Sequence, residues 1–249
     1  MKISRLIKRT IRVLPPGLAE MERELLGFER LPPGRLVASS LWEADTPGQY
    51  CSVCGGSALG RGCRPDCLKT VRPYHVVIRL GPYVDPLAEW IRTMKFERWH
   101  AMGEVLGRQL AASIAGHPAI RSKDNPIVVP VPMPGLRRFS RGIDHTMVLA
   151  GAIKNELGWS LQRPMRQSGG ATQASKTASQ RARRRNPFRP RHKADAIMGR
   201  NVILVDDVLT TGRTARAAAR RLLEMGANSV LLAVLAVTND VPTGLRRRN

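Results

Sequence analysis

Across 249 residues, 41 lysines and arginines stand against 19 aspartates and glutamates, for a formal charge of +22. A hydrophobic content of 43% is too high for wholesale disorder, and 4% aromatics argue against a surface that stacks many bases. No run approaches the ~20 apolar residues that a membrane-spanning helix needs, so no transmembrane segment is expected. The surplus charge calls for polyanions such as nucleic acid, phosphates or acidic lipid, with arginine-rich solvated faces as the alternative.

In chain order, Ile3, Leu6, Ile7, Ile11 and Leu14 share a helical face opposite Lys2, Arg5, Lys8, Arg9 and Arg12. This predicts a short basic amphipathic helix stopped by Pro15-Pro16-Gly17, suited to docking, a membrane surface or a transit role. A weak helix around 18–28 precedes a second breaker, Pro32-Pro33-Gly34. The N-terminus lacks the unbroken apolar stretch of a secretory signal, so a cytoplasmic location is expected.

All four cysteines follow as Cys51-x2-Cys54-x8-Cys63-x3-Cys67. In a reducing compartment, two closely spaced thiol pairs match an all-cysteine tetrahedral Zn2+ site, structural because its shell is closed; a redox or disulfide pair is the alternative. The expected organisation is a basic extension (1–46), a small zinc ribbon (47–75), a larger domain (76–240) and a basic tail (241–249).

Asp85 is expected to cap a helix with Pro86 at its first position. Leu87, Trp90, Ile91 and Met94 give that helix its apolar face, and Met102, Val105, Leu106, Leu110 and Ile114 give a second, ending at Gly116. Ile127 to Pro132 reads as a strand ending in an irregular loop, followed by a helix around Thr146–Leu157. Residues 157–194 hold ten lysines and arginines and no acid, and are expected to form a mobile basic loop or hairpin able to close as a lid. Val202–Val205 and Val230–Val237 read as buried parallel strands joined by the turn Asp206–Thr214 and a helix over Ala215–Met225 ended by Gly226.

Thr210-Thr211-Gly212-Arg213-Thr214 lies where a parallel strand ends and a helix opens, the place where open α/β sheets bind ligands. Backbone N–H groups, three hydroxyls and the positive helix end make an anion cup of phosphate size. Asp206 and Asp207 precede it. Carboxylates repel phosphate, so their expected use is to accept hydrogen bonds from sugar hydroxyls. For both to reach one ligand the chain is expected to leave the strand here, because neighbouring strand residues face opposite sides. The pattern describes a ribose 5-phosphate site. No Gly-Lys dipeptide exists, so a P-loop is absent.

The string Val202–Thr214 resembles the signature of type I phosphoribosyltransferases. Val129-Pro130-Val131-Pro132 with Arg137, Arg138 and Arg141-Gly142 is similar to the corresponding block of ComF/GntX-type proteins. So are the cysteine motif, Met94-Lys95-Phe96, and the basic loop with Gln173, Arg181 and Asn186-Pro187-Phe188. The likeness covers about 48–240. It differs where the family's Phe-Asn-Gln is Ile143-Asp144-His145, where Lys176 replaces a leucine, and in a slightly longer Gln173–Asn186 interval.

The resemblance implies an α/β fold, a mostly parallel open sheet with helices on both faces, preceded by a small zinc-binding ribbon. It implies a transferase of the pentosyl class that displaces pyrophosphate from 5-phosphoribosyl 1-pyrophosphate with Mg2+. Asp206 and Asp207 would act at the sugar, Thr210, Thr211, Gly212, Arg213 and Thr214 would hold the phosphate, and Arg137, Arg138 and Arg141 would face the pyrophosphate. The alternative it carries is a non-catalytic competence factor that binds single-stranded DNA, nucleotide and partners of the DNA-uptake machinery.

Overall fold

The computed structural model describes residues 31–57, 67, 71–97, 99–120, 125–133, 144–167, 186–191 and 194–238. The chain divides into two compact units, Met1–Leu41 and Trp42–Asn249. In the first, helix α1 (Pro33–Ala38) starts inside the Pro32-Pro33-Gly34 breaker. Proline suits the first helical turn, whose N–H groups have no helical partner, so this motif begins a helix.

The second unit is built on β1 (Val76–Pro82), β2 (Ile127–Pro130), β5 (Asn201–Leu209) and β6 (Ser229–Val237), all parallel in the order β1-β6-β5-β2. Most of β6, and Val202–Val205 of β5, are continuous apolar runs because both faces are covered there. On one face Val202, Leu204, Val230, Leu232 and Val234 pack with Ala215, Ala218 and Leu222 of α5 (Arg213–Glu224). Against the other lie α3 (His100–Ala115) and α4 (His145–Leu157), joined by α2 (Leu87–Phe96). The expected fold class holds: helices flank both faces of an open parallel sheet.

The expected apolar faces are buried: Leu87, Trp90, Ile91 and Met94 on α2, and Met102, Val105, Leu106, Leu110 and Ile114 on α3. Asp85 does not cap α2; no side chain caps this helix, and the Asp85 carboxylate accepts from Arg92 Nη2 at 2.7 Å instead. Within 157–194, β3 (Met165–Gln167) pairs antiparallel with β4 (Phe188–Pro190). Asn186 fastens this pairing to α5: its Nδ2 donates to the Ala217 carbonyl at 2.8 Å, and Phe188 is fully buried beside α5.

Both sheet edges are covered. Ser160 and Gln162 bond across to Val128 on β2. At β1, the Asp45 N–H donates to the Leu80 carbonyl and the Val77 N–H to the Ser52 carbonyl, so the cysteine-bearing segment runs along the strand. Pairing an edge in this way removes a template for aggregation.

Candidate functional site

Sequence reasoning expects the strand to end before the two acids; it does not. β5 continues to Leu209, because β6 is equally long and keeps pairing through Asp206↔Val234 and Leu209↔Val237. The carboxylates therefore leave the strand in different directions. Asp207 reaches Lys95 Nζ on α2 at 2.8 Å, with both side chains mostly buried. Asp206 Oδ1 accepts the N–H of Asp207 at 2.9 Å. Burial, and then the charge of Asp207, push the Asp206 carboxyl up to about 7, against the lowering effects of the Asp207 N–H and Lys95. One acid of the pair is thus held near neutrality while its neighbour is paired with a cation, an arrangement that separates donor from acceptor. Lys95 is the site residue the sequence hides. It lies on an otherwise ordinary amphipathic helix, and its only signal was the Met94-Lys95-Phe96 resemblance.

After Leu209 the chain turns through Thr210 and Thr211, both exposed, to Gly212, which is buried at φ 70° and opens α5. An L side chain there would be strained, and its Cβ would stand 3.0 Å from Arg216 Nη1 and 3.4 Å from the Tyr74 hydroxyl. Arg216 Nη2 donates to the Thr211 carbonyl at 2.7 Å, and the Arg213 N–H reaches Thr211 Oγ1 at 3.5 Å. Arg213 and Thr214 are exposed on the first turn of α5. Around the buried Gly212, the other four loop residues thus present a solvent-facing turn at the positive end of a helix.

Next to β5, the Val131 N–H donates to the Val205 carbonyl at 2.8 Å, one residue before Asp206. Beyond it opens a cleft of about 170 Å³ whose lining includes Pro132, Asp144, Arg163, Arg166 and Arg191. Asp144, the departure from the family pattern, caps α4: its Oδ1 accepts from the Met147 N–H at 3.3 Å and from Thr146 Oγ1 at 3.0 Å. Its carboxylate is spent on a helix end. Arg137, Arg138 and Arg141 lie outside the described residues, as do Gln173, Lys176, Arg181, Cys63 and the N-terminal basic helix.

The cysteine segment folds as a tight hairpin. The Tyr50–Ser57 bridge closes it, the Gly55 N–H donates to the Cys51 carbonyl at 2.7 Å, and the Gly56 N–H points at Cys54 Sγ at 3.4 Å. The sulfurs of Cys51, Cys54 and Cys67 all lie within 4.8 Å of one another, with 3.9 Å between Cys51 and Cys67. Tetrahedral zinc with bonds of about 2.3 Å separates its sulfurs by roughly 3.8 Å, so the three thiols fit such an ion. Arg79 of β1, 1% exposed, holds the hairpin down: it pairs with Asp45 Oδ2 at 2.7 Å, donates to Ser57 Oγ at 3.0 Å and to the Gly55 carbonyl, and lies over the Tyr50 ring.

A parallel sheet whose inner strand delivers paired acids and a glycine-capped phosphate-type loop is the architecture of a phosphoribosyl-transferase-like domain. Residues 97–248 match the phosphoribosyl transferase domain family, and the chain belongs to it. More particularly, it is a ComF/GntX-type member. It is 31% identical over 169 residues to the DNA utilization protein YhgH of Salmonella typhi, covering 66% of this chain and 73% of that protein. To Competence protein F of Haemophilus influenzae it is 25% identical over 187 residues, covering 73% and 81%. Among solved structures it is similar to the B. subtilis glutamine phosphoribosylpyrophosphate amidotransferase complexed with ADP and GMP. That match has 21% identity and a TM-score of 0.38, and covers 54% of this chain but only 26% of that one. Among the described residues no helix is long and apolar enough to cross a membrane.

Proposed function

We propose that the protein binds 5-phosphoribosyl 1-pyrophosphate, or a nucleotide carrying ribose 5-phosphate, and transfers the phosphoribosyl group to an acceptor. The observation that carries this reading is the direct succession, on one strand end, of the Asp206–Asp207 pair and the Thr210–Thr214 turn under the N-terminus of α5. The 5-phosphate sits on the turn, taking hydrogen bonds from the first amides of α5 and the threonine hydroxyls. Because β5 continues past the acids and turns their carboxylates in different directions, the ribose diol meets one of them, the other staying on its own side of the strand. In the transfer, the acceptor's lone pair forms a bond to the anomeric carbon. The carbon–oxygen bond to pyrophosphate breaks, pyrophosphate departs with that electron pair, and the acceptor's proton is lost to solvent or a base. Carboxylates beside the ribose favour its oxocarbenium-like transition state. Mg2+ bound with the diphosphate would supply positive charge against that building on the leaving group. Arg137, Arg138 and Arg141 are assigned to that side from the sequence, and Zn2+ to the cysteine cluster as a structural ion. Cysteines used as metal ligands suit a reducing cytoplasm.

The test is pyrophosphate release from the donor, with wild type compared against Asp206→Asn/Asp207→Asn. Wild type should bind the donor and the double variant should lose at least about tenfold in affinity or rate. A wild-type protein that binds no donor overturns the reading.

A second reading, a DNA-handling factor, is favoured by the names its relatives carry and by the +22 charge. It requires single-stranded DNA binding whose log affinity falls by about 0.7 per phosphate contact as log salt rises. No binding at low salt removes it.

A further inference from the structure

The β3–β4 ladder sets Arg166 directly opposite Arg189. Like charges opposed across a ladder cost stability. Among the described residues no carboxylate forms an ion pair with Arg163, Arg166, Arg189 or Arg191 to offset that cost. Arg191 is fixed by its own backbone and stem: its N–H donates to the Pro164 carbonyl at 2.7 Å, and its Nε to the Met165 carbonyl at 3.3 Å. Its two terminal nitrogens are left for another group.

Arg163, Arg166 and Arg191 all line the cleft of about 170 Å³ beyond Val131. Met133, Met147 and Met165 give that cleft an apolar side, Met165 being 1% exposed. The one acid in its lining, Asp144, is engaged by the Met147 N–H and the Thr146 hydroxyl, so positive charge is in excess. Thioethers suit the face of a flat ring, and guanidinium forks suit a carboxylate or phosphate. A diphosphate would want donors on every side and would meet sulfur and methylene instead. The volume lies below the ~300 Å³ at which pockets begin to hold drug-sized ligands, so it suits a single ring with the smaller of those anions. The bond from the Val131 N–H to the Val205 carbonyl sets this cleft beside the strand end that carries Asp206.

We propose that the cleft is the acceptor site, and that the acceptor is a single-ring compound bearing a carboxylate. Its ring lies against the methionines and its carboxylate on Arg166 and Arg191. This rests on the transfer proposed above, which leaves the acceptor's class open. A ring nitrogen or an amine on the ring supplies the electron pair for the bond to the anomeric carbon. Pyrophosphate leaves with the electrons of the broken carbon–oxygen bond, and a proton on that nitrogen, where there is one, passes to solvent. The carboxylate only orients the ring.

The test is calorimetry on the full chain with three matched pairs, each a carboxylate and its neutral amide: nicotinate and nicotinamide, anthranilate and anthranilamide, orotate and orotamide. At least one carboxylate should bind about tenfold or more tightly than its amide, the size of one hydrogen bond to a charged group. Arg166→Gln and Arg191→Gln should each remove most of that preference. Arg220→Gln, which takes an exposed arginine from α5 outside the cleft, should leave it intact. Arg166→Gln should also raise the melting temperature by about 1–3 °C by relieving the opposed charges, and a fall instead makes it a structural residue and overturns the assignment. No carboxylate preferred over its amide, or a preference that Arg220→Gln removes equally, also overturns it. So does a loss in the cleft variants confined to 5-phosphoribosyl 1-pyrophosphate or pyrophosphate, which gives the arginines to the leaving group. If the donor binds and no carboxylate is preferred, this proposal falls alone. If a carboxylate is preferred and no donor binds, the transfer reading falls and takes the acceptor role with it.

Discussion

The hairpin along β1 and the turn after β5 start from similar means, a glycine with positive φ set beside a buried strand, and are put to opposite use. At Gly55 a Cβ would stand 2.9 Å from Val237 and 3.0 Å from Val77, and Arg79 ties the hairpin through Asp45, Ser57 and the Gly55 carbonyl. At Gly212 the neighbours are polar ends, Arg216 and Tyr74, and the threonines around it face solvent. One region is over-determined by packing. The other leaves its amides and hydroxyls accessible to a ligand, which is the lower-stability character expected of a binding loop.

The strongest way to break this contrast is Arg79→Ala. Removing a cation that is 1% exposed leaves Asp45 and a backbone carbonyl without it, and should cost about 3–5 kcal/mol in urea unfolding. A loss under about 1 kcal/mol would mean the hairpin is not anchored there. Next come the two matched glycine changes. Gly55→Ala combines positive-φ strain with a clash into two valines, and should cost about 2–4 kcal/mol while leaving ribose 5-phosphate affinity unchanged in the folded fraction. Gly212→Ala should cost only about 1 kcal/mol, since a flexible arginine end can give way, yet should weaken the ester at least about tenfold by deforming the turn. Equal effects of the two on binding would erase the distinction.

The acid pair sharpens the contrast through pH. Folding raises the Asp206 carboxyl from 3.8 to about 7. The folded state therefore holds that proton more tightly than the unfolded chain. Its stabilising contribution is full below about pH 4 and fades as pH climbs through about 7, by up to about 3–4 kcal/mol. Asp206→Asn should remove that slope from the stability–pH curve, while Lys95→Met should push the Asp206 carboxyl higher still. A wild-type curve with the same slope as the Asn variant contradicts this. The smallest effect belongs to the exposed Asp85–Arg92 pair, where Arg92→Gln should change stability by less than about 0.5 kcal/mol.

Much of this was legible from spacing. The faces of α2 and α3, the two inner strands and the loop after β5 follow from periodicity and from threonine and glycine at a strand end, which are local signals. Two local inferences failed for a common reason. Asp85 looked like a cap and Asp206–Asp207 like the start of a turn, but a cap loses to a nearby guanidinium, and a strand continues wherever its neighbour still offers bonds. Lys95 was invisible as a site residue because it looks ordinary on its own element; only the approach of a distant segment gives it a partner.

The amino-acid order by itself determined the elements, the cysteine spacing and the acid–threonine–glycine string, because each depends on neighbours within a turn or two of chain. Tertiary structure alone decided that the cysteine hairpin seals β1, that Lys95 engages Asp207, and that Arg79 ties the hairpin down through Asp45 and Ser57. Those outcomes are set by contacts between segments far apart in sequence, whose distances no local pattern encodes.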